Sequence, residues 1–465
     1  MRHLDRDPTP VGEVSARAGS GTQLPSGSSP RTSPAAVATA GSVAALVASV
    51  VGPQPTVAFE CWDGSRLGPA RTPVTVVVRS PDALRRILGA PGELGFARAW
   101  VVGDIDVQGD LYAALALGDT VPSLKLTPRQ IGAALRLLGV GGLRPLPPPP
   151  EEARLRGRRH GPRRDAAAVV HHYDVSNAFY GMVLGPSLTY SCAVWEHAAA
   201  TLEEAQAAKH ELICRKLELG AGMRLLDVGC GWGSMLLHAA RRHGVQAVGV
   251  TLSAHQADLA RRRVADAGLA DRVEIRVQDY RDVDDGPYDA ISSIGMFEHV
   301  GRARLGEYFS RLRALLRPGG RVLNHGISRP PGGQSRFSRR GFLGRYVFPD
   351  GELHAVGSVI SAMQDSGLEV RHMESLREHY ARTLRAWVAN LEAHWDAAVA
   401  EVGERRARIW RLYMAASALG FEHGDAQVHQ ILALPATCGR TSEIPARPRW
   451  DATPLRDVVS RPADR

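Results

Sequence analysis

The sequence lacks the cysteine patterns that identify disulfide scaffolds and zinc modules. Its five cysteines are odd in number and widely spaced, with no Cys-x-x-Cys pair and no nearby group of histidines: Cys61, Cys192, Cys214, Cys230 and Cys438. Disulfide-rich domains need paired cysteines, and structural zinc sites usually need closely spaced cysteines and histidines. We therefore expect a reduced, cytoplasmic protein without a metal site.

Long apolar runs are also missing. The most apolar stretch, residues 35–52, is rich in alanine, is interrupted by Thr39, Ser42 and Ser49, and follows a polar leader without a basic segment. A signal peptide begins with basic residues, and a membrane-spanning helix needs ~20 mostly apolar residues. The pattern favours a helix of an N-terminal domain over a signal or membrane segment.

Composition and local patterns divide the 465 residues into five segments. Residues 1–34 are rich in Ser, Thr, Pro and Gly, so they bury too little apolar surface to offset the entropy of ordering, and we expect a disordered leader. Strand-like and helical runs in residues 35–141 predict a small accessory α+β domain. Residues 142–165 form a Pro/Arg-rich linker, residues 166–435 a larger α/β domain with an insertion, and residues 436–465 a flexible tail.

Basic residues outnumber acidic ones. The chain has 57 Lys and Arg against 48 Asp and Glu, a formal net charge of +9. Six arginines lie between Arg154 and Arg164, close to a run of prolines. Such a surface fits an anionic partner, for example phospholipid head groups, a nucleotide or nucleic acid, and it also fits a basic surface that is only solvated. The charge alone leaves these interpretations open.

Strand and helix patterns alternate from residue 223 onward. This alternation predicts right-handed βαβ units, a parallel sheet with helices on both faces, and ligand binding beyond the carboxyl ends of the strands. The predicted strands are Met223–Val228, Ala247–Leu252, Val273–Val277, Tyr288–Ile294 and Arg321–His325, and the predicted helices are Ser234–His243, Ala254–Ala267 and Arg304–Leu316.

A glycine-rich turn follows the first of these strands. In LLDVGCGWGS (residues 225–234), Gly229, Gly231 and Gly233 let the backbone and the next helix N-terminus approach a ligand closely. The alternative is a turn that only eases strand-to-helix packing. The spacing is not the G-x-G-x-x-G of dinucleotide sites, and Thr251 and Leu252 stand where such a site has an acidic residue for the ribose. S-adenosylmethionine is therefore favoured over NAD.

Polar residues at two strand ends fit the same cofactor. Asp227, at the tip of the first strand, is placed to meet a cationic or amino-bearing ligand. Gln278 and Asp279 follow the third strand, where an acidic side chain can accept a hydrogen bond from the adenine amino group. Both positions lie at the carboxyl edge of the predicted sheet, where the ligand is expected.

Seven motifs, in order along the chain, carry a family resemblance. They are HHYDVSNAFYGMVLGPSLTYSCAVW (171–195), LLDVGCGWGS (225–234), VGVTLSAHQ (248–256), QDYRDV (278–283), SIGMFEHVG (293–301), NHGIS (324–328) and REHYARTLRAW (377–387). Together they resemble the cyclopropane-fatty-acyl-phospholipid synthase and mycolic acid cyclopropane synthase family, strongly over residues 165–435. The resemblance implies a class I S-adenosylmethionine-dependent methyltransferase fold, a Rossmann-like α/β domain with a mostly parallel seven-stranded sheet, beside a small N-terminal α+β domain.

The resemblance also implies two sets of site residues. The cofactor would be held by Tyr190, Ser191, Leu226, Asp227, Gly229, Gly231, Gly233, Thr251, Leu252, Gln256, Gln278 and Asp279. Bicarbonate, which family members hold at the reaction centre, would be held by Cys192, Glu298, His325, the backbone of Ile327, and Tyr380. Two positions depart from the family: Gln278 replaces an aromatic residue found near the adenine in some members, and Ser417 replaces a cysteine of some phospholipid-acting members.

Several neighbouring residues have competing interpretations. His299 follows Glu298 and, on an extended segment, would point to the opposite side, so a structural role is favoured. His171 and His172 are assigned a helix-start or lid role. In the insertion, arginines (Arg336, Arg339, Arg340, Arg345) alternate with apolar residues (Phe337, Phe342, Leu343, Tyr346, Val347, Phe348), which fits an acyl tunnel with a basic rim or a helical packing face.

The implied reaction is transfer of a methylene group to the cis double bond of an unsaturated phospholipid acyl chain, forming a cyclopropane ring. An alkene carries no acidic proton, so a base is needed only after methyl transfer, to close the ring. A 10-methyl fatty acyl methyltransferase, a small-molecule O- or N-methyltransferase and a non-catalytic lipid carrier stay open as alternatives. The expected partner is a membrane phospholipid, contacted peripherally at the inner face through the basic surface; no nucleic acid is expected, and a homodimer is left open.

Overall fold

The computed structural model describes residues 39–120, 126–139, 144–153, 175–332, 341–349 and 351–436, together with residues 444 and 450. The predicted leader, the six arginines of the linker and most of the predicted tail lie outside the described residues. So do His171, His172 and the first half of the predicted insertion, with Arg336, Phe337, Arg339 and Arg340.

A small mixed sheet with helices lies at the N-terminal end of the described chain. Its strands are β1 (Ala58–Cys61), β2 (Arg66–Leu67), β3 (Thr75–Val78) and β4 (Ile105–Gln108), in the order β2-β1-β3-β4, with β1 and β3 parallel and the other pairs antiparallel. The helices are α1 (Val43–Val51), α2 (Asp82–Gly89), α3 (Glu93–Val102), α4 (Leu111–Leu115), α5 (Leu117–Thr120) and α6 (Pro128–Leu138). The helix predicted within residues 35–52 is therefore confirmed as α1.

A larger sheet forms the centre of the second half. Its strands are β5 (Arg224–Val228), β6 (Gln246–Thr251), β7 (Val273–Val277), β8 (Tyr288–Ile294), β9 (Leu316–Arg329), β10 (His354–Ala355), β11 (Leu368–Ser375) and β12 (Gln427–Pro435). Seven strands follow the order β11-β12-β9-β8-β5-β6-β7, and the short β10 pairs with β9. Strands β5 to β9 are parallel, and β12 is antiparallel to both of its neighbours. The predicted mostly parallel seven-stranded sheet is confirmed.

Helices cover both faces of this sheet. They are α7 (Asn177–Leu184), α8 (Leu202–Leu217), α9 (Ser234–His243), α10 (Ala254–Asp266), α11 (Leu305–Leu315), α12 (Val356–Asp365), α13 (Arg377–Ala393), α14 (Trp395–Val402) and α15 (Glu404–His423). Helix α8 begins with a capping box: the Thr201 hydroxyl accepts from the Glu204 N–H, and the Glu204 carboxylate accepts from the Thr201 N–H. Apolar residues of α8, such as Ile213 and Leu217, pack with Leu323 of β9 in one core cluster.

Arg408 links helix α15 to α3 and to strand β4 of the N-terminal sheet. This buried side chain donates to the carbonyl oxygens of Trp100 and Ile105, each at 2.7 Å, and the Trp100 indole N–H donates back to the Arg408 carbonyl at 2.9 Å. One apolar cluster extends from Val43 in α1 to Val428 in β12, so the described residues belong to one compact unit. Residues 35–141 remain a proposed accessory domain.

Among the helices in the described part of the chain, none has the length and apolar character needed to cross a bilayer. Helix α1, which includes half of the apolar stretch noted in the sequence, has 9 residues, and its Val43 and Ala44 are buried against the N-terminal sheet. The buried apolar side chains of α1 are therefore used in the protein core.

Replacing Arg408 with Met should lower the free energy of unfolding by about 3 kcal/mol, because two buried carbonyl oxygens lose their donor and Asp106 loses a partner at 3.2 Å. Urea titration followed by circular dichroism measures this change. The matched control is Arg405→Met on the same helix, since the Arg405 side chain is 51% exposed. Equal losses in the two variants would contradict the assigned role of Arg408.

Candidate active site

A cavity, here called the cofactor cavity, lies at the carboxyl ends of the parallel strands. Ten predicted cofactor residues line it: Tyr190, Ser191, Asp227, Gly229, Gly231, Thr251, Leu252, Gln256, Gln278 and Asp279. The other two do not line it. Leu226 is fully buried in the core, and Gly233 faces Ala260 and Ile275. The sequence therefore predicts ten of the residues that line this cavity.

The glycine turn owes its shape to backbone conformations that other residues rarely adopt. Gly229, Gly231 and Gly233 have φ angles of 80°, 53° and 78°. The N–H groups of Gly229 and Cys230 both donate to the carbonyl oxygen of Val250 at 3.0 Å, which ties the turn to the neighbouring strand β6. The glycines are thus required by the conformation of a turn that also borders the cavity.

Two buried ionisable groups of opposite sign face the cofactor cavity. Asp227 accepts a hydrogen bond from Ser292 Oγ at 2.6 Å, and burial raises the pKa of its carboxyl to about 6. Lys209 of α8 donates to Ser191 Oγ at 3.1 Å, and burial lowers the pKa of its amine to about 7. Desolvation therefore moves both groups toward their neutral forms near neutral pH.

The predicted adenine contacts lie where expected but have intramolecular partners. Arg281 donates to both carboxylate oxygens of Asp279, at 2.9 and 2.5 Å. Gln278 Nε2 donates to the carbonyl oxygen of Asp282 at 2.9 Å. Asp279 retains further acceptor lone pairs, so its contact with an adenine amino group stays a prediction.

A second cavity adjoins the first. Tyr190, Gly295 and His299 line both. The second cavity is bordered largely by apolar side chains, and it also contains Glu298 and Tyr380. Its apolar and aromatic lining includes Ile327, Phe342, Leu343, Phe348, Leu353, Leu384, Tyr413, Ala416, Phe421 and Ala426. A ligand in the second cavity can therefore approach a ligand in the cofactor cavity at the three residues that line both cavities.

Glu298 lies on a short 3-10 turn, Phe297–His299, that packs against β9. Its Oε1 accepts from the Ile327 N–H at 2.6 Å, and its Oε2 is buried without a hydrogen-bond partner among the described residues. Burial raises the pKa of this carboxyl to about 7. A Cβ atom at Gly326 would lie 1.9 Å from the Phe297 ring, so the glycine of NHGIS is needed for this close contact.

His325 lies in β9 at the end of a chain of buried polar side chains. Lys216 donates to Gln430 Oε1 at 2.7 Å, and Gln430 Nε2 lies 3.2 Å from His325 Nδ1. Because an ammonium group can only donate, Gln430 must turn its oxygen to Lys216 and its NH₂ group to His325. The proton of the neutral imidazole is then on Nε2, which is buried without a partner among the described residues. Burial and the nearby lysines hold the pKa of His325 well below its usual value.

Cys192 and Tyr380 complete the five residues assigned to bicarbonate. Cys192 lines neither cavity; its buried thiol donates to the carbonyl oxygens of Ala193 at 3.2 Å and Leu376 at 3.6 Å. Burial raises the pKa of this thiol well above its usual value, so it stays protonated. Tyr380 of α13 borders the second cavity, with its ring 4.7 Å from that of Phe421.

The prediction that His299 faces away from the site assumed an extended backbone, and that assumption is wrong. The segment is a 3-10 turn and not an extended strand, so the side chains of adjacent residues do not alternate between two sides, and His299 lines both cavities. Sequence reasoning also missed Lys209, His210, Met296 and Arg304, which line the cofactor cavity. Of these, Met296 lay within a quoted motif, whereas no local pattern singles out the two residues of α8.

If Asp227 holds a cationic group of the cofactor, its raised pKa makes cofactor affinity depend on pH. The carboxylate form is complete well above pH 6 and is lost as the pH falls through about 6, so affinity should weaken about tenfold between pH 8 and pH 5. The Asp227→Asn variant should bind the cofactor weakly at every pH and lack the part of the pH dependence that comes from Asp227. Protonation of Lys209 below about pH 7 affects both the variant and the unmodified protein.

Calorimetric titration with S-adenosylmethionine at several pH values measures this difference. Asp258→Asn serves as the control, because the Asp258 side chain is 60% exposed on α10. The role given to Asp227 is contradicted if Asp227→Asn retains the full pH dependence of the unmodified protein.

Comparisons with known proteins agree with the fold and with the cofactor cavity. The family described as "Mycolic acid cyclopropane synthetase" matches residues 160–431. A "Probable fatty acid methyltransferase" of Mycobacterium tuberculosis is 47% identical over 403 residues, 84% of this chain and 94% of that protein. The cyclopropane-fatty-acyl-phospholipid synthase of Escherichia coli K12 is 32% identical over 361 residues, 77% of this chain and 87% of that protein.

A solved structure gives the same result at the level of the fold. A mycolic acid cyclopropane synthase complexed with SAH and CTAB superposes with a TM-score of 0.54 at 34% identity, covering 58% of this chain and 97% of that chain. The family match, the sheet order and the glycine turn lead to one conclusion. The chain belongs to the mycolic acid cyclopropane synthetase family and is an S-adenosylmethionine-dependent methyltransferase of that family.

Proposed function

We propose that the protein adds a methylene group to the cis double bond of an unsaturated phospholipid acyl chain and so forms a cyclopropane ring. The observation that carries this proposal is the apolar second cavity, which meets the cofactor cavity at Tyr190, Gly295 and His299 and contains Glu298. An acyl chain in the second cavity would bring its double bond to this junction. The names of the relatives in Escherichia coli and of the solved structure support the same reaction class.

The first step is methyl transfer to a neutral alkene. S-adenosylmethionine supplies the electrophilic methyl group, and the protein supplies alignment and a dry environment. Tyr190 belongs to a cluster of aromatic rings: its ring lies 5.3 Å from Trp387 and 5.8 Å from both Tyr180 and Trp410. Aromatic faces attract positive charge without forming a covalent bond to it, so this cluster suits a site in which a carbocation develops.

The second step is loss of a proton from the added methyl group. Two buried atoms have the hydrogen-bonding character that bicarbonate needs, although His325 lines neither cavity: His325 Nε2 is a donor and Glu298 Oε2 is an acceptor, each without a partner among the described residues. Ile327 fits less well, because its N–H already donates to Glu298. A bicarbonate ion held by His325 and Glu298 would supply the base for this proton. Glu298 would have to be ionised to accept the proton of bicarbonate, so activity is expected to fall as the pH drops through about 7.

A methyl-branched fatty acyl product is the second candidate. The relative that is 47% identical over 403 residues is named a fatty acid methyltransferase, which is compatible with either product. In the branched case a hydride shift moves the cation to the carbon that bears the new methyl group, and loss of a proton then gives a methylene branch instead of a ring. A separate hydride donor would be needed to convert this branch to a saturated methyl branch. A small-molecule O- or N-methyltransferase is a third candidate, since His299 lies at the junction, Glu298 lines the second cavity, and either could serve as a general base.

The membrane partner follows from the substrate. We propose peripheral contact with the inner face of the membrane through the basic surface, in line with the formal charge of +9. Anionic head groups attract such a surface, and no nucleic-acid partner is proposed. A homodimer stays open.

Incubation with labelled S-adenosylmethionine and vesicles of mono-unsaturated phospholipid should move label into lipid, and the product should show cyclopropyl proton signals by NMR. Glu298→Gln should lower this transfer by at least a hundredfold, because the acceptor beside the proposed base is lost. The control is Glu307→Gln, an exposed residue of α11. Labelled lipid without cyclopropyl signals would favour the branched product, and transfer only to a phenol or amine would favour the third candidate.

Gln430 is expected to act by positioning His325. In Gln430→Glu, one carboxylate oxygen still accepts from Lys216, but the other accepts a hydrogen bond from His325 Nδ1. The proton of the neutral imidazole therefore moves from Nε2 to Nδ1, and the donor to the proposed base is lost. We expect a 10–100-fold fall in kcat with unchanged affinity for S-adenosylmethionine. The matched control, Gln427→Glu at the start of the same strand, should keep full activity. Weakened cofactor binding with unchanged kcat would contradict the positioning role.

A further inference from the structure

A cluster of metal-ligating side chains lies between helices α8 and α9. Cys214 is on α8, and His238 and His243 are on α9. One ligand atom of each residue, the Cys214 thiol sulfur and one ring nitrogen of each histidine, lies within 4.8 Å of the other two. These three residues line neither cavity, so the cluster is separate from the site described above.

A carboxylate adjoins the two histidines. Oε2 of Glu211, one turn before Cys214 on α8, lies 3.1 Å from Nε2 of His238 and 3.1 Å from Nε2 of His243. Its Oε1 accepts from Arg215 Nε at 3.0 Å. Cys214 is buried, whereas the side chain of His238 is 12% exposed and that of His243 is 19% exposed, so an ion can reach the cluster from solvent.

The residue types and spacings suit zinc. Zinc bonds to nitrogen and sulfur of about 2.0–2.3 Å place neighbouring ligand atoms about 3.3–3.8 Å apart in a tetrahedron. The 3.1 Å contacts of Glu211 with both imidazoles are close to that spacing, and the three ligand atoms, which lie within 4.8 Å of one another, would have to move about 1 Å closer together to reach it. A thiolate with two imidazoles is a donor set that favours zinc over calcium or magnesium.

We propose that Cys214, His238 and His243 bind a Zn²⁺ ion, with Glu211 beside both histidines as the balancing carboxylate. Binding releases the thiol proton of Cys214 to solvent, and the thiolate and carboxylate together neutralise the ion. The His210 ring lies 5.7 Å from that of His238 and lines the cofactor cavity, so the ion would fix α8 against α9 beneath that cavity. Its role is structural, since no ligand faces the cofactor.

The competing description is a metal-free network in which Glu211 accepts from both histidines and from Arg215. Cys214 separates the two descriptions, because a thiol contributes little to such a network and is a primary ligand of zinc. Cys214→Ala removes the sulfur and leaves Glu211, Arg215 and both histidines in place, so the variant should fold.

The test uses the full chain without a histidine tag. Cobalt titration should give a thiolate-to-cobalt charge-transfer band at one equivalent per chain, and added zinc should abolish it. Cys214→Ala should lose the band and the rise in Tm caused by zinc, whereas Cys61→Ala, which removes a buried thiol of β1, should keep both.

Two outcomes would overturn the proposal. The first is a wild-type chain that gives no charge-transfer band and no zinc-dependent rise in Tm. The second is a Cys214→Ala variant that binds cobalt with the same band as the wild type. His238→Gln gives an independent check, since a tenfold or greater loss of cobalt affinity is expected there.

Discussion

The burial of a charged helix face against the larger sheet is the constraint on which the site depends. Helix α8 places Lys209, His210 and Lys216 at 1%, 4% and 1% exposure, facing the sheet face that carries Asp227 and His325. Burying charged groups is costly unless they find partners, so this layer is held by Ser191, Gln430 and Glu374 as hydrogen-bond and ion-pair partners. Ser191 holds Lys209 at the wall of the cofactor cavity, and Gln430 contacts both Lys216 and His325, so the same contacts pack this layer and orient candidate site residues.

The junction of the two cavities depends on a second contact, between the turn after β8 and the strand β9. Phe297 lies against Gly326, and Glu298 accepts from Ile327, so the turn can occupy only one position on the strand. That position brings Glu298 to the wall of the second cavity and His299 to the wall of both. The motifs MFEHVG and NHGIS, separated by more than 20 residues in the sequence, are therefore one structural unit.

Local patterns in the sequence predict the fold and much of the cofactor cavity, because both depend on short-range features. The alternation of strands and helices predicts β5 to β9, and the spacing of Gly229 and Gly231 predicts the turn that borders the cofactor. Contacts between distant segments are not predictable in this way. Lys209 and Gln430 lie on an ordinary helix and an ordinary strand, and only the fold brings them to Ser191 and His325.

The dependence on contacts between distant segments also explains one wrong prediction and one cluster that was not predicted. His299 was assigned an extended backbone, because a strand precedes it and nothing local marks the 3-10 turn. The residues Cys214, His238 and His243 follow none of the short spacings by which zinc sites are recognised, because their ligand atoms come from two helices separated by a strand and a turn. Packing of the two helices, and not sequence proximity, creates that cluster.

The electrostatics of the reaction centre fit the proposed chemistry better than a charged site would. Burial keeps the Cys192 thiol protonated and the His325 imidazole neutral, and it raises the pKa of Glu298 to about 7. A thiolate near the sulfonium methyl group would itself be methylated, and it would capture a carbocation before the ring could close. Desolvation suppresses that nucleophile while leaving His325 able to donate through Nε2 and Glu298 able to accept. In the proposed reaction, a dry site with aromatic walls would protect the protein from its own cofactor and leave the weakly nucleophilic alkene as the group that reacts.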